Sequence, residues 1–207
     1  MAFIKSHPDQ PIGEDERKQT RDCTDLAMQL EDANPIARRW ATRDLIDCPD
    51  ASTLLVGRLQ REEDVSVRGV ILTALTSLGD KTAIAGLVDC LRSEDVALRN
   101  EALEAMKQLS DKVAPIMRVL LNDADPDVRI FAVNILESLR HPDVESWLIS
   151  VIEHDTHLNV CATAVDLLGE VGSIAALEPL QRLKSRYANE PYIQFAADLA
   201  MNRITHD

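Results

Sequence analysis

From about residue 21 onward the apolar positions follow two helical patterns in alternation. The first is a narrow stripe. In the stretch 83–91, Ile84, Leu87, Val88 and Leu91 fall at the i, i+3, i+4, i+7 spacing that buries one face of a helix, here of roughly 11–14 residues. The second pattern follows each acidic turn and is broader. Val67, Val70, Ile71, Ala74, Leu75 and Leu78 form a face wide enough to be covered from both sides. Gly79-Asp80, Ser110-Asp111, His141-Pro142 and Gly172-Ser173 cut the turns, and no run alternates with the period of a strand. The pattern predicts helix pairs throughout.

The second helix of each pair is one unit written six times. Its clearest copy is Asp123-Ala-Asp-Pro-Asp-Val-Arg129, followed by Ile130-Phe-Ala-Val-Asn-Ile-Leu136. Arg38, Arg68, Arg99 and Arg129 occupy one slot at steps of 30, 31 and 30 residues, and Cys161 and Gln194 take it after steps of 32 and 33. Three residues on, the chain reads Ala41, Ile71, Ala102, Ala132, Ala164 and Ala197, and four further on it reads Leu45, Leu75, Met106, Leu136, Leu168 and Met201. Asn34, Asp64, Asp95 and Asp125 stand where an N-cap is needed, and Pro35, Pro126 and Pro191 take the first helical position. Such a period means a stacked array. The expected fold is all-α, a right-handed α-solenoid of six helix pairs over about 20–48, 49–78, 80–109, 111–140, 142–171 and 173–204. Residues 1–18 carry Pro8, Pro11, Gly13 and mixed charge without a period, and are expected to form a mobile arm ahead of a solenoid spanning 19–207. Phe3 and Ile4 in that arm would cover the open end of the first pair or serve as a docking peptide.

The acid, second acid, aliphatic-Arg, small residue and Leu series at this period resembles the short HEAT-like repeats named after phycobilin lyases, over about residues 20–204. The W-x-x-L-G-x-x-Y series of tetratricopeptide repeats and the T-P-L-H of ankyrin repeats are absent. The resemblance implies a helical solenoid whose second helices line a concave face. It does not imply one activity, since members include phycobilin lyases, chromophore-detaching relatives, hydroxylases and proteins that only bind other proteins.

Composition narrows the functional classes. The chain of 207 residues carries a net charge of −13, which argues against a binder of duplex nucleic acid or of an anionic membrane. Hydrophobic residues make up 45% and aromatics only 3%, so the core must be built from Leu, Ile, Val and Ala. Cys23, Cys48, Cys90 and Cys161 lie far apart without a C-x-x-C pair, which suits neither a zinc knuckle nor a disulfide framework and points to a reducing compartment. With no apolar leader and no run of 18 apolar residues, a cytoplasmic protein is expected.

The repeated charges read first as structure. Arg38, Arg68, Arg99 and Arg129 are expected to reach acids of an adjoining repeat while Asp64, Asp95 and Asp125 cap helices, because a residue that recurs once per unit follows the repeat and not a single active site. The ladder stops at Cys161. Glu153, His154, Asp155, His157 and Cys161 form the one local group of metal-ligand types, but His154 and His157 straddle a loop and Cys161 sits in the ladder slot, so no metal site is expected. The His-Glu dipeptides of the di-iron hydroxylases are missing, as are G-x-S-x-G, a phosphate loop and H-E-x-x-H. No catalytic residue and no cofactor is expected.

What remains is a surface. One, five and eight residues after the ladder slot, each second helix should face the concave side. That strip includes Arg39, Arg43, Asn100, Glu104, Ile130, Asn134, Glu137 and Asp166, with Trp40 and Phe131 one position farther round. It is basic at one end, acidic in the middle and poorer in Lys and Glu than a solvating face. The expected function is a non-catalytic scaffold or adaptor, a monomer that binds another protein, such as a signalling component, with Arg38, Arg39, Arg43 and Trp40 anchoring an acidic segment. The alternative is a chromophore-handling subunit of the phycobilin lyase kind, for which Cys161 and Cys48 are the candidate thiols.

Overall fold

A computed structural model describes residues 22–206, and among these every regular element is a helix. The arm expected over 1–18, with Phe3 and Ile4, lies outside the described residues. The helices pair as α1 (Cys23–Gln29) with α2 (Pro35–Asp44), α3 (Ala51–Leu59) with α4 (Val65–Leu78), and α5 (Lys81–Cys90) with α6 (Val96–Gln108). In the fourth pair α7 (Ser110–Val113) and α8 (Met117–Leu120) precede α9 (Pro126–Leu136). The last two pairs are α10 (Val144–His154) with α11 (Leu158–Val171) and α12 (Leu177–Arg186) with α13 (Pro191–His206). The second helices α2, α4, α6, α9, α11 and α13 pack in that order, each on the next, which makes the array an all-α solenoid.

The repeat slots explain the stacking. Ala41, Ile71, Ala102, Ala132, Ala164 and Ala197 are all fully buried, where mostly small side chains let successive second helices close on one another. Leu45, Leu75, Met106, Leu136 and Leu168 are buried beside them, and Met201, in the last of these helices, is partly covered. The first helices differ from expectation in length. The fourth is interrupted: Pro115 has no amide hydrogen to donate, and the chain passes through a 3₁₀ turn at Ala114–Ile116 between α7 and α8. Helix α4 ends at Gly79, whose φ of 51° is the left-handed cap conformation. Helices α3 and α5 approach so closely that a Cβ on Gly86 would lie 2.4 Å from the Val56 side chain.

The cysteine reading needs correction. Cys23 and Cys48 form a disulfide with Cα atoms 5.8 Å apart, while Cys90 and Cys161 are free and buried. The missed reason is topological. Antiparallel packing of α1 on α2 brings the start of one helix to the end of the other, so cysteines 25 residues apart become neighbours. This bond counts against the reducing compartment inferred from spacing. No helix among the described residues is long and apolar enough to cross a membrane.

Helix α1 is short, and the disulfide fastens it to the chain just after α2. Closing a 25-residue loop removes unfolded-state entropy worth about 3 kcal/mol. A Cys23→Ser variant should lose that protection locally: hydrogen exchange in α1 and α2 should accelerate, while amides of α9 to α13 keep their wild-type rates.

Candidate functional site: the turn ladder and the second-helix strip

The first four turns before a second helix use two side chains in fixed roles, and the fifth keeps the first of them. The first accepts the amide two residues on: Asp32 from Asn34 at 2.7 Å, Glu62 from Asp64 at 2.9 Å, Ser93 from Asp95 at 3.1 Å, Asp123 from Asp125 at 3.0 Å and Asp155 from His157 at 2.8 Å. The second is the N-cap. Asn34, Asp64, Asp95 and Asp125 accept from the amides of Ile36, Ser66, Ala97 and Asp127, each at 2.9 Å. Six residues after the first acceptor comes the ladder slot.

In the complete rungs the arginine joins two turns at once. Arg38 donates one nitrogen to the carbonyls of Asp32 and Ala33 in its own turn, and grips the Glu62 carboxylate of the next turn with two others at 2.8 and 2.7 Å. Arg129 repeats this with the carbonyls of Asp123 and Ala124 and with Asp155 at 2.7 and 3.1 Å. A two-nitrogen grip on a carboxylate fixes distance and orientation together.

The other rungs depart from this scheme for identifiable reasons. At the first-acceptor position opposite Arg68 stands Ser93, so Arg68 turns to the capping Asp95, and its buried Nε finds no acceptor. Arg99 corrects the expectation that it reaches an adjoining acid. Its guanidinium donates to the Ser93 carbonyl of its own turn, because Asp123 is held by Arg92 at 3.0 and 2.6 Å. At Cys161 the ladder does not end but is supplied from elsewhere. Arg186, in the last turn of α12, donates to the carbonyls of Glu153 at 2.7 Å, Ile152 at 2.8 Å and Asp155 at 3.0 Å, and to Cys161 Sγ at 3.4 Å. Sequence reasoning missed Glu62, Asp155 and Arg186. The first two were marked as the leading acid of the repeat; Arg186 lies out of register and had no signal.

Glu62 is the most tightly held acid. Burial alone would raise its pKa, but the hydrogen bonds from Arg38, Arg58 and the Asp64 amide outweigh burial and hold the carboxyl at about 2. Asp155 is likewise held below the usual carboxylate range: burial opposes, and Arg129 and the His157 amide prevail. Two of the metal-ligand types of this group are engaged elsewhere, while the buried Nδ1 of His157 has no partner among the described residues. Asp155 binds Arg129, the His154 ring contacts the Ser150 carbonyl at 2.9 Å, and among the described residues no group of three such side chains could hold a metal ion. Burial pushes the Cys161 thiol up and the Cys90 thiol to about 11, so both stay protonated near neutral pH.

Neighbouring second helices meet along the strip at several points. A groove of about 670 Å³ runs between α4 and α6, with Gly69, Thr73 and Thr76 on one wall and Asn100 and Glu104 on the other. Lys107 meets Glu137 at 3.0 Å across α6 and α9, and Tyr192 donates to Asp166 at 2.8 Å across α13 and α11. Ile130, Asn134 and Phe131 are half-buried, whereas Asn100, Glu104, Glu137 and Asp166 are exposed. At the other end Arg43 is exposed and stacks over Trp40 at 5.2 Å, beside half-buried Arg39. Neither Arg39 nor Arg43 makes an ion pair with a described acid, and the buried Nε of Arg39 has no acceptor. Trp147 lies off the strip, 8% exposed and stacked on His141.

Helix pairs, small-residue stacking and an arginine-acid ladder between turns define an α-helical repeat solenoid. The family model for HEAT repeats matches residues 24–107 and 113–201, and the chain belongs to that family. Among solved structures it is similar to Drosophila melanogaster Mini spindles TOG3, at 14% identity over 89% of this chain and 95% of that one with a TM-score of 0.56. It is also similar to the complex of CpcE and CpcF of phycocyanin lyase from Nostoc sp. PCC7120, at 18% identity over 97% and 99% with a TM-score of 0.40. An engineered protein matches at 19% identity over 90% and 97% with a TM-score of 0.43. No curated protein matches the chain.

The rungs differ in what their loss exposes. Arg38→Ala leaves a buried carboxylate short of two hydrogen bonds and should cost about 3 kcal/mol in urea unfolding, whereas Arg99→Ala, which strips one carbonyl, should cost about 1 kcal/mol. Ser93→Asp should give Arg68 its missing acceptor and raise stability by about 1 kcal/mol. The acid dependence follows from Glu62, whose folded pKa lies below its unfolded value. Its contribution is complete above the ordinary carboxylate pKa of ~4.3 and is lost as pH falls toward about 2. Urea midpoints measured across that window should decline less steeply in Glu62→Gln than in wild type.

Proposed function

We propose that this protein is a non-catalytic scaffold that binds another protein along its second-helix strip, as a monomer, with Arg39, Trp40 and Arg43 as the anchor for an acidic segment. The observation that carries the reading is the state of those two arginines. In a chain of net charge −13, Arg39 and Arg43 lie one turn apart on α2 without a described acid partner, and Arg43 is held over an indole. Guanidinium and indole groups are the side chains that most often dominate protein interfaces. Asn100, Glu104, Ile130, Asn134, Glu137 and Asp166 continue the same strip and would set register along the partner.

A bacterial signalling component, such as a response regulator or a chemosensory protein, is the partner class carried forward, on resemblance to other small HEAT-like proteins. The chromophore-handling alternative has less support, since Cys48 is bonded to Cys23 and the Cys161 thiol is buried and protonated.

In affinity capture from the source lysate, wild type should retain a specific protein. Arg39→Glu with Arg43→Glu should release it, with affinity falling about tenfold or more and helical content unchanged. Retention unchanged by that pair and by Asn134→Arg would reject the strip as the binding surface.

A further inference from the structure

The far end of the strip carries a different chemistry. In the internal repeats the positions one and five after the ladder slot hold small or mostly polar residues, such as Gly69 with Thr73 and Asn100 with Glu104. In α13 the same positions hold Phe195, 66% exposed, and Leu199, 42% exposed. Tyr192 adjoins them at 55% exposure, tied to the strip by its hydrogen bond to Asp166.

At the position four after the ladder slot, Leu72, Leu103, Val133 and Val165 are buried. In α13 that position is Asp198, paired with Lys184. The apolar residues of α13 sit on the strip instead, where among the internal repeats Ile130 alone is comparably large and apolar.

Resting on the scaffold reading above, we infer that the partner segment is extended and asymmetric: acidic where it meets Arg39 and Arg43, and bearing large apolar side chains where it meets Tyr192, Phe195 and Leu199. Charge complementarity fixes the acidic end, since two guanidinium groups there lack described acids. It also excludes acids from the centre, where Glu104 and Asp166 are exposed. Five helix-to-helix steps of about 8–10 Å separate α2 from α13, or roughly 40–50 Å along the strip. An extended chain covers that distance in about 12–15 residues. The groove walls of Gly69 and Thr73 leave room for a backbone laid between α4 and α6.

The probe is a phage-displayed library of random peptides of about 15 residues, panned on the full chain, with enriched sequences synthesised and titrated by fluorescence polarisation. The expected result is a consensus that is acidic at one end and aromatic or aliphatic at the other. Arg39→Glu with Arg43→Glu, and separately Phe195→Ser with Leu199→Ser, should each raise Kd about tenfold or more. Added salt should weaken wild-type binding, and the arginine variant should lose most of that dependence. All four positions are at least partly exposed, and circular dichroism of each variant confirms that the fold is retained. Peptides that lose affinity with the arginine variant but ignore the Phe195 and Leu199 changes would overturn this inference and leave the scaffold reading standing. Peptides indifferent to both, or no enrichment, would overturn both. A concentration-dependent dimer abolished by Phe195→Ser would assign the apolar end to a second copy and overturn the inference alone.

Discussion

The structure depends on one recurring contact, the guanidinium that binds the carbonyls of its own turn and the leading acid of the next. Each complete rung fixes the height and rotation of one second helix against the following one, because a planar fork meeting a carboxylate tolerates little slippage. Stacking of small residues alone would not do this. Ala41, Ala102, Ala132, Ala164 and Ala197 let helices approach, but a methyl group specifies no register. The two devices divide the work: apolar burial supplies the free energy and the ladder selects the arrangement. Where a rung is incomplete the cause is local. Ser93 denies Arg68 its second bond, and Arg92 withdraws Asp123 from Arg99.

The sequence discloses what is periodic and hides what is not. Helix type, pair number and the capping role of Asn34, Asp64, Asp95 and Asp125 all recur with the unit, so six copies reinforce one reading. The rung acceptors were half visible. Glu62 and Asp155 carry the leading-acid signal, but which arginine each meets depends on the offset between turns, which a single strand of text does not contain. Arg186 and the Cys23–Cys48 bond were invisible for a related reason. The disulfide spans 25 residues, set by the antiparallel return of a helix, and Arg186 comes from a first helix rather than from the slot that the repeat marks.

The first and last described pairs use different ties. In the first, α1 is short, and a covalent bond fastens it to the chain just after α2. At the C-terminus the arginine slot becomes Gln194, whose amide donates to the Lys184 carbonyl at 2.8 Å and the Tyr187 carbonyl at 3.0 Å, tying α13 to α12. Arg186 faces backward to the fifth turn instead of forward, with its guanidinium over the Tyr187 ring at 4.9 Å. At the fifth turn the slot held by Cys161 is thus served by a group that reaches back from the following pair.

This economy of charge makes the exceptions informative. The turns absorb acids in pairs with arginines, and most remaining cations are committed as well: Arg58 to Glu31 and Glu62, Lys107 to Glu104 and Glu137, Arg182 to Glu153 and Glu178. Arg39 and Arg43 have no acid partner among the described residues, on a helix face with no described acid at ion-pair distance. Folding does not require that placement, since neither side chain takes part in a rung, and the buried Nε of Arg39 costs stability as long as it lacks an acceptor. A group left costly in the isolated chain favours whatever later supplies the missing acceptor, because association then recovers the desolvation already incurred on folding.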